Sequence, residues 1–310
     1  MNVAIIGAGP AGMSCANALL TFGLVPIVIE RSDHAGGAQR TNFHPNLWLL
    51  GAPEETGMQM TERLSRHFAE LPLEFLRNTE VLAVHPAGKG FTLELKSGEA
   101  LRSLQTDAVV LATGMRPRAT PKLLKLAGES ERVIIGPLSL AIRDDIRASR
   151  VLILGGGDNA LDHALFLSER GNTVTVCTRS EFSARLQFRE ACARQPSVTL
   201  RRECRPIGFR VEAGQILAEW PDAAQAFDWL LVMYGYEPNT EIVERFDRAI
   251  RPRRTQQGHI VVDLWQRSSV PGVYAAGDIT DSPQPSVATA IAQGLAAARA
   301  VERDLSQARQ

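Results

Sequence analysis

Three glycines, Gly7, Gly9 and Gly12, with Pro10 and Ala11 between the last two, and a carboxylate at Glu30 are the first residues spaced for chemistry. In Gly7-Ala8-Gly9-Pro10-Ala11-Gly12 the first glycine permits a tight turn. The second lets backbone approach a pyrophosphate, and the third lets a helix pack closely on a strand. The surrounding sequence supplies what must position them. Val3–Ile6 is an apolar run that predicts a buried strand, Met13–Phe22 a helix stopped by Gly23, and Val25–Ile29 a second strand running into Glu30. The helix N-terminus offers unpaired N–H groups and a partial positive charge to phosphates. A carboxylate closing the second strand can accept from ribose hydroxyls. A bare glycine pattern is common, but with both strands, the helix and the acid in order it predicts nucleotide binding.

The theme recurs. Arg150–Leu154 is an apolar strand that runs into Gly155-Gly156-Gly157-Asp158-Asn159-Ala160, followed by a predicted helix over Leu161–Glu169 and a strand over Thr173–Cys177. This is a second βαβ unit of the G-x-G-x-x-A type, so the chain carries two nucleotide-binding domains. After that strand comes Thr178-Arg179-Ser180, with Arg185 close by. No acid closes the strand to favour a ribose hydroxyl, and Arg179 on a 2′-phosphate is the stronger, charge-assisted option. This favours NADPH over NADH. The competing reading of Arg179 and Arg185 is solvated surface charge.

Composition narrows the class. With 45% hydrophobic and 22% charged residues over 310 positions, the chain reads as globular and long enough for two cores. Lys plus Arg equals Asp plus Glu, 34 against 34, which argues against a general nucleic-acid or membrane-surface binder. The four cysteines, Cys15, Cys177, Cys192 and Cys204, form no C-x-x-C and no metal-ligand spacing. Four reduced thiols, no basic leader and no membrane-length apolar run lead to the expectation of a cytoplasmic protein.

Between the two glycine loops the pattern changes period. Arg31 to Gln39 is a loop with paired Gly36 and Gly37, and Thr41–Gly51 is aromatic and irregular, with Phe43, His44, Asn46 and Trp48. Glu54–Glu70 predicts an amphipathic helix with Met58, Met60, Leu64 and Phe68 at helical spacing. Val81–Val84 and Phe91–Leu95, about a Gly88-Lys89-Gly90 turn, predict antiparallel strands. Asp107–Gly114 predicts a buried strand ending in Thr113-Gly114, and Arg116-Pro117-Arg118 a crossing between domains. Phe182–Ala193 predicts a helix, and Val198–Leu200, Gly214–Trp220 and Trp229–Met233 predict strands. The tail predicts a strand at Gly272–Asp278 and a helix over Ser286–Asp304. His34 and His44 read as polar loop residues, and no Ser-His-Asp set or metal cluster is legible.

These residues resemble the low-molecular-weight thioredoxin reductases and, more closely, thioredoxin-reductase-type ferredoxin–NADP reductases. The match runs through Gly7–Gly12, Ala112-Thr113-Gly114, Gly155–Ala160, Glu237-Pro238-Asn239-Thr240 and Ala275-Ala276-Gly277-Asp278 with its terminal helix. The resemblance implies an α/β fold of two Rossmann-like, three-layer domains. A discontinuous FAD domain would span 1–114 and 241–310, and an NAD(P)H domain 115–240. Gly7, Gly9, Pro10, Ala11 and Gly12 would hold the FAD pyrophosphate, with Glu30 and Arg31 at the adenosine ribose and Val81 by the adenine. Gly37, Gln39, Asn46, Thr113 and Gly114 would line the cofactor. Gly277 and Asp278 would meet the ribityl chain. The N–H of Val287 would face the flavin N1/O2 edge, where the helix dipole favours negative charge. Gly155, Gly157, Asp158, Asn159, Ala160 and Arg179 would hold NADPH or NADH. A homodimer is implied as well.

Three departures shape the function. The Cys-x-x-Cys of thioredoxin reductases is absent: the expected stretch reads Gly136-Pro137-Leu138-Ser139-Leu140-Ala141. Cys15 reads as structural. The basic motif after the second glycine loop is thinned, with Ser183 where an Arg is expected. The loop before the last helix reads Ser282-Pro283-Gln284-Pro285-Ser286 and lacks the Arg-Gln pair. Family members carry Gln where this chain has Ala38, so Gln39 or no residue takes that contact. The expectation is an FAD-dependent NAD(P)H oxidoreductase serving a separate acceptor, such as a ferredoxin- or flavodoxin-like protein, with no catalytic side chain named. Two alternatives stand: a reductase of a small disulfide, quinone or other soluble acceptor, and a flavin-binding sensor or partner protein without nicotinamide turnover.

Overall fold

The computed structural model describes residues 1–46 and 49–308, so Trp48 lies outside the described residues. The chain runs β1 (Asn2–Ile6), α1 (Pro10–Thr21), β2 (Val25–Ile29), α2 (Gly57–Ala69), β3 (Glu74–Leu76), β4 (Thr79–Ala87), β5 (Gly90–Ser97), β6 (Ala100–Thr106), β7 (Ala108–Leu111) and β8 (Met115–Pro117). It continues through α3 (Pro121–Glu129), β9 (Val133–Ile135), α4 (Leu140–Asp144), β10 (Arg150–Leu154), α5 (Asp158–Ser168), β11 (Thr173–Cys177), α6 (Leu186–Arg194) and β12 (Val198–Arg201). Then follow β13 (Gly208–Glu212), β14 (Gln215–Glu219), β15 (Ala224–Phe227), β16 (Trp229–Val232), β17 (Tyr236–Pro238), β18 (Val273–Ala275) and α7 (Val287–Gln307). It divides into two units: residues Met1–Met115 with Pro238–Gln310, and residues Arg116–Glu237.

In the first unit a parallel sheet has the order β18-β7-β1-β2-β3. Strand alternation sends its side chains to two cores. Val3, Ile5, Val28, Val110 and Tyr274 pack with α1 and α7 on one face. Ala4, Ile6, Ile27, Ile29 and Leu111 pack on the other against Val84, Phe91, Leu93 and Leu95 of the antiparallel β4-β5-β6 sheet. The result is three layers: helices, parallel sheet, antiparallel sheet. Strand order reverses at β1, between β2 and β7, which opens a crevice at the carboxyl ends of these strands.

The second unit repeats the plan. Its parallel sheet has the order β12-β11-β10-β16-β9, and an antiparallel β13-β14-β15 sheet covers one face. Leu152, Leu154, Cys177, Leu230 and Val232 pack there against Ile216, Ala218 and Phe227, with Leu123 and Leu126 of α3. Helix α5 buries Ala160, Leu161, Ala164 and Leu167. The mixed α/β class with two parallel-sheet units of Rossmann type is therefore as expected.

Helix boundaries differ from the sequence reading, each for a local reason. Helix α5 starts at Asp158 rather than Leu161, directly out of the glycine turn, with Gly157 as its N-cap. Helix α2 starts at Gly57 rather than Glu54 because a capping box fixes it: Thr56 Oγ1 accepts from Gln59 N–H and Gln59 Oε1 from Thr56 N–H. Helix α6 starts at Leu186 rather than Phe182. The preceding residues are pulled out of helical pairing, since Ala184 N–H donates to Gly156 O at 2.9 Å and Arg185 N–H to Asp158 Oδ1 at 2.8 Å. Helix α3, with Thr120 as its N-cap, Pro121 at its start and Leu123 and Leu126 on its buried face, and the short strands β9 and β13 are not among the elements expected from the sequence.

Candidate functional site

In the first unit the crevice is built from the glycine loop between β1 and α1. Gly7 sits at φ 107° and donates to Ile29 O at 2.8 Å. A Cβ there would lie 2.4 Å from Ala112 O, so any other residue is both strained and blocked. A Cβ on Gly12 would lie 2.0 Å from Gly7 O, which is how the turn folds against the first helical turn. At Gly9 a Cβ would meet nothing within 4 Å: this face of the loop is open, as an approaching phosphate requires. Gly9 is also the N-cap of α1, with Pro10 at its start and no side-chain cap. The helix therefore presents its first N–H groups and positive dipole end uncapped. Gly36 N–H donates to Ala8 O at 2.8 Å, and Gly37 stacks its backbone on Gly9, where a Cβ would lie 3.1 Å from Gly9 Cα.

Glu30 ends β2 facing this loop. Its Oε2 accepts from Ala8 N–H at 2.9 Å, and its Oε1 from Ser32 N–H and Ser32 Oγ, both at 3.0 Å. Ser32 is the partner that sequence reading missed. The carboxylate is fixed in place with capacity for further donors. Arg31 is exposed beside it. Thr79 N–H donates to Glu30 O at 2.9 Å, which brings the start of β4 and the buried Val81 to the same end of the crevice.

Opposite lies the turn after β18. Gly277 N–H donates to Gln293 Oε1 at 2.7 Å, and Thr280 Oγ1 donates to the same oxygen at 3.4 Å and to Gly277 O at 2.9 Å. Gln293 is a positioning residue with no legible sequence signal. Gly277 packs on Ala11, and a Cβ on Gly294 would lie 2.2 Å from Ala11 O, so α1 and α7 cross here at close range. Asp278 is half-buried with no hydrogen-bond partner among the described residues. Burial pushes its carboxyl up, partly opposed by the charge of His259. A partly buried carboxylate without a donor is costly unless a ligand hydroxyl supplies one. Val287 begins α7 behind the Ser286 N-cap, whose Oγ accepts from Thr289 N–H at 3.1 Å. Unlike α1, this helix start carries a side-chain cap, and its positive dipole end favours an anionic edge.

The remaining expected residues are placed as follows. Thr113 Oγ1 donates to Asn239 O and Gly114 O accepts from Asn239 N–H, both at 2.8 Å. Asn46 is buried, its N–H donating to Glu55 O at 3.0 Å. Gln39 Oε1 accepts from Asn42 Nδ2 at 2.9 Å and lies against Gly57, so its amide oxygen is already engaged.

In the second unit Gly155 N–H donates to Cys177 O at 2.9 Å, and Gly156 lies under the Thr178 side chain. Gly157 caps α5 with no side-chain bond, leaving the N–H groups of its first turn facing out. Asp158 lies in that turn, neutralised by Arg185, whose Nε donates to Oδ2 at 2.7 Å. Arg185 is thus a clamp on the loop and not a spare phosphate ligand. Asn159 is exposed and Ala160 fully buried. Arg179 is exposed, with no ion pair among the described residues. Arg179 and Arg205 both act on the Tyr234 hydroxyl, which burial raises and the two arginines lower. Arg205 adds a second cation near Arg179 that spacing did not reveal.

The model of the family described as pyridine nucleotide-disulphide oxidoreductase matches residues 1–294. The chain belongs to this family. Its members are FAD- and NADPH-using oxidoreductases, and this chain is such an enzyme by class. Among curated relatives of this oxidoreductase, the thioredoxin reductase of Coxiella burnetii is 27% identical, covering 100% of this chain and 98% of its own. The ferredoxin–NADP reductase of Lactobacillus delbrueckii subsp. bulgaricus is 28% identical, covering 97% and 96%. The Lactococcus lactis thioredoxin reductase structure superposes with TM-score 0.80 at 21% identity, covering 99% of each chain, a likeness of fold. The residues fit the family's dinucleotides. Each unit has an open glycine turn feeding an uncapped helix, and the first adds a partnerless half-buried carboxylate. Cys15, which the sequence marked as structural, is fully buried in the α1 core, and burial pushes its thiol up to about 12.

Proposed function

We propose that this enzyme takes electrons from NAD(P)H, with NADPH preferred, into FAD and delivers them to a separate acceptor of ferredoxin or flavodoxin type. The observation that carries the reading is the duplication of the same cradle in a chain whose four cysteines make no C-x-x-C. Residues 1–114 and 241–310 would form the FAD domain and 115–240 the coenzyme domain. Bound FAD supplies a two-electron carrier that takes hydride from a reduced nicotinamide and passes electrons onward.

The chain's own residues bind and orient. Gly9 and the first turn of α1 receive the pyrophosphate, and Glu30, held by Ala8 and Ser32, takes ribose hydroxyls. Asp278 takes a ribityl hydroxyl, and the α7 N-terminus at Val287 places positive potential at the ring's anionic edge. In the coenzyme domain Gly157 and the first turn of α5 take the second pyrophosphate, while Arg179 and Arg205 supply cations for a 2′-phosphate. No side chain is required as acid or base. A cytoplasmic homodimer fits this reading; no helix among the described residues is long and apolar enough to cross a membrane.

Stopped-flow mixing of the flavin-loaded protein with NADPH and with NADH, followed by a panel of acceptors, tests the proposal. Fast bleaching by NADPH and reoxidation by ferredoxin or flavodoxin is expected. No bleaching by either nucleotide removes it, and reoxidation only by small disulfides or quinones replaces the acceptor.

A further inference from the structure

The second unit holds a relationship that cysteine spacing hides. Cys177, the last residue of β11, and Cys204, in the loop after β12, place their Sγ atoms 3.0 Å apart. Strand pairing brings them together. Cys177 lies opposite Arg201 in the parallel β11–β12 register, Thr178 N–H donates to Arg201 O at 3.0 Å, and Cys204 N–H donates back to Thr178 O at 2.8 Å. Trp220 Nε1 donates to Cys204 Sγ at 3.1 Å. Cys177 is buried and Cys204 half-buried. A disulfide needs its sulfurs at about 2.05 Å, so these need to close by roughly 1 Å, on backbone that is already hydrogen-bonded across the gap. Cys192, by contrast, is buried and donates to Leu161 O at 3.4 Å, and Cys15 lies in the other unit's core.

The pair stands on the stems of the coenzyme site. Cys177 O holds Gly155 N–H, Thr178 covers Gly156, Arg179 follows Thr178, and Arg205 follows Cys204. Closing the sulfurs draws the Cys204 loop inward and carries Arg205 with it, changing its spacing from Arg179. We propose that Cys177 and Cys204 form an oxidisable dithiol that exchanges with low-molecular-weight disulfides, and that the closed form binds NADPH less well. The second half rests on the coenzyme reading of this unit.

The exchange balances without another reactant. The more accessible Cys204 loses its proton and attacks one sulfur of R–S–S–R, forming a mixed disulfide and releasing RSH. Cys177 resolves it: its thiol, held up by burial and by its bond to Cys204, loses its proton in turn, attacks Cys204 Sγ and releases a second RSH. The two cysteines lose two electrons and two protons, and the small disulfide gains both.

The experiment uses the full chain, reduced with dithiothreitol, desalted and exposed to glutathione disulfide. The expected result is a mass lower by two hydrogen atoms and a cross-linked peptide joining Cys177 to Cys204. Cys15 and Cys192 remain alkylatable after denaturation, and Trp220 emission falls, all reversed by dithiothreitol. Trp220→Phe removes the emission change, and Cys204→Ser abolishes the cross-link. NADPH affinity falls about tenfold on oxidation in the wild type and not in Cys204→Ser. Four alkylatable thiols after treatment, or a lasting glutathione adduct without the cross-link, overturns the dithiol. A cross-link with unchanged NADPH affinity overturns its tie to the coenzyme. If the reduced protein also fails to bind NADPH, the coenzyme reading of the unit falls, while the peptide map still decides the dithiol.

Discussion

Gln293 holds Gly277: its Oε1 accepts the glycine N–H at 2.7 Å, reaching from the second turn of α7 to the turn that carries Asp278. Gln293→Leu leaves that N–H and the Thr280 hydroxyl without their shared acceptor. The expected cost is about 1–3 kcal/mol of stability, with reduced flavin retention. Thermal unfolding of the flavin-free protein and flavin content after purification check both.

Asp278→Asn separates stability from binding. Because burial raises the Asp278 carboxyl, its contribution to stability is present below the ordinary carboxylate range and is lost as pH rises through the raised value. The flavin-free Asn variant is therefore expected to be at least as stable as the wild type at neutral pH, with the difference shrinking on acidification. Flavin affinity is expected to fall. Denaturant midpoints at several pH values, with and without added FAD, give the comparison.

Asp304 ties the last helix to β18. It accepts from Arg267 Nε and Nη2 at 2.8 and 2.7 Å and from the Tyr274 hydroxyl at 2.7 Å. The bond from Arg267 holds its carboxyl low against the opposing effect of burial, helped by Tyr274. Its stabilisation is thus present above the ordinary carboxylate range and lost as pH falls through the lowered value. Asp304→Ala strands the buried Tyr274 hydroxyl and is expected to cost about 1–3 kcal/mol. Tyr274→Phe in that background costs less than it does alone, which a double-mutant cycle measures.

Arg185→Ala leaves Asp158 as an uncompensated negative charge at the α5 N-terminus, where a pyrophosphate is expected. NADPH affinity is predicted to fall about tenfold, with Asp158→Asn in the same chain recovering much of it. The pair is exposed, so stability changes by at most about 1 kcal/mol. Isothermal titration and thermal unfolding report the two quantities separately.

Sequence periodicity located both parallel sheets because β1, β2, β7, β10, β11 and β16 are apolar runs bounded by glycine turns, and buried strands leave that mark. The two glycine loops and their order were equally plain. What stayed hidden depends on long-range pairing. Ser32 on Glu30, Gln293 on Gly277 and Arg205 near Arg179 are ordinary polar residues until the fold juxtaposes them. The meeting of Cys177 and Cys204 likewise follows from strand register, which spacing along the chain does not encode. The pairing of Arg185 with Asp158 is equally invisible along the chain, because the two come from opposite sides of a loop, and the same contacts start α6 later than its pattern suggests.

The closely packed crossing of α1 and α7 at Ala11 and Gly294 also sets an order of assembly during synthesis. The cradle of β1 and α1 lacks its edge strand β18 and its covering helix α7 until residues 273–307 have been made. The intervening unit is contiguous and can complete itself earlier. A nascent chain stalled before residue 270 would therefore expose the apolar face of α1 to chaperones.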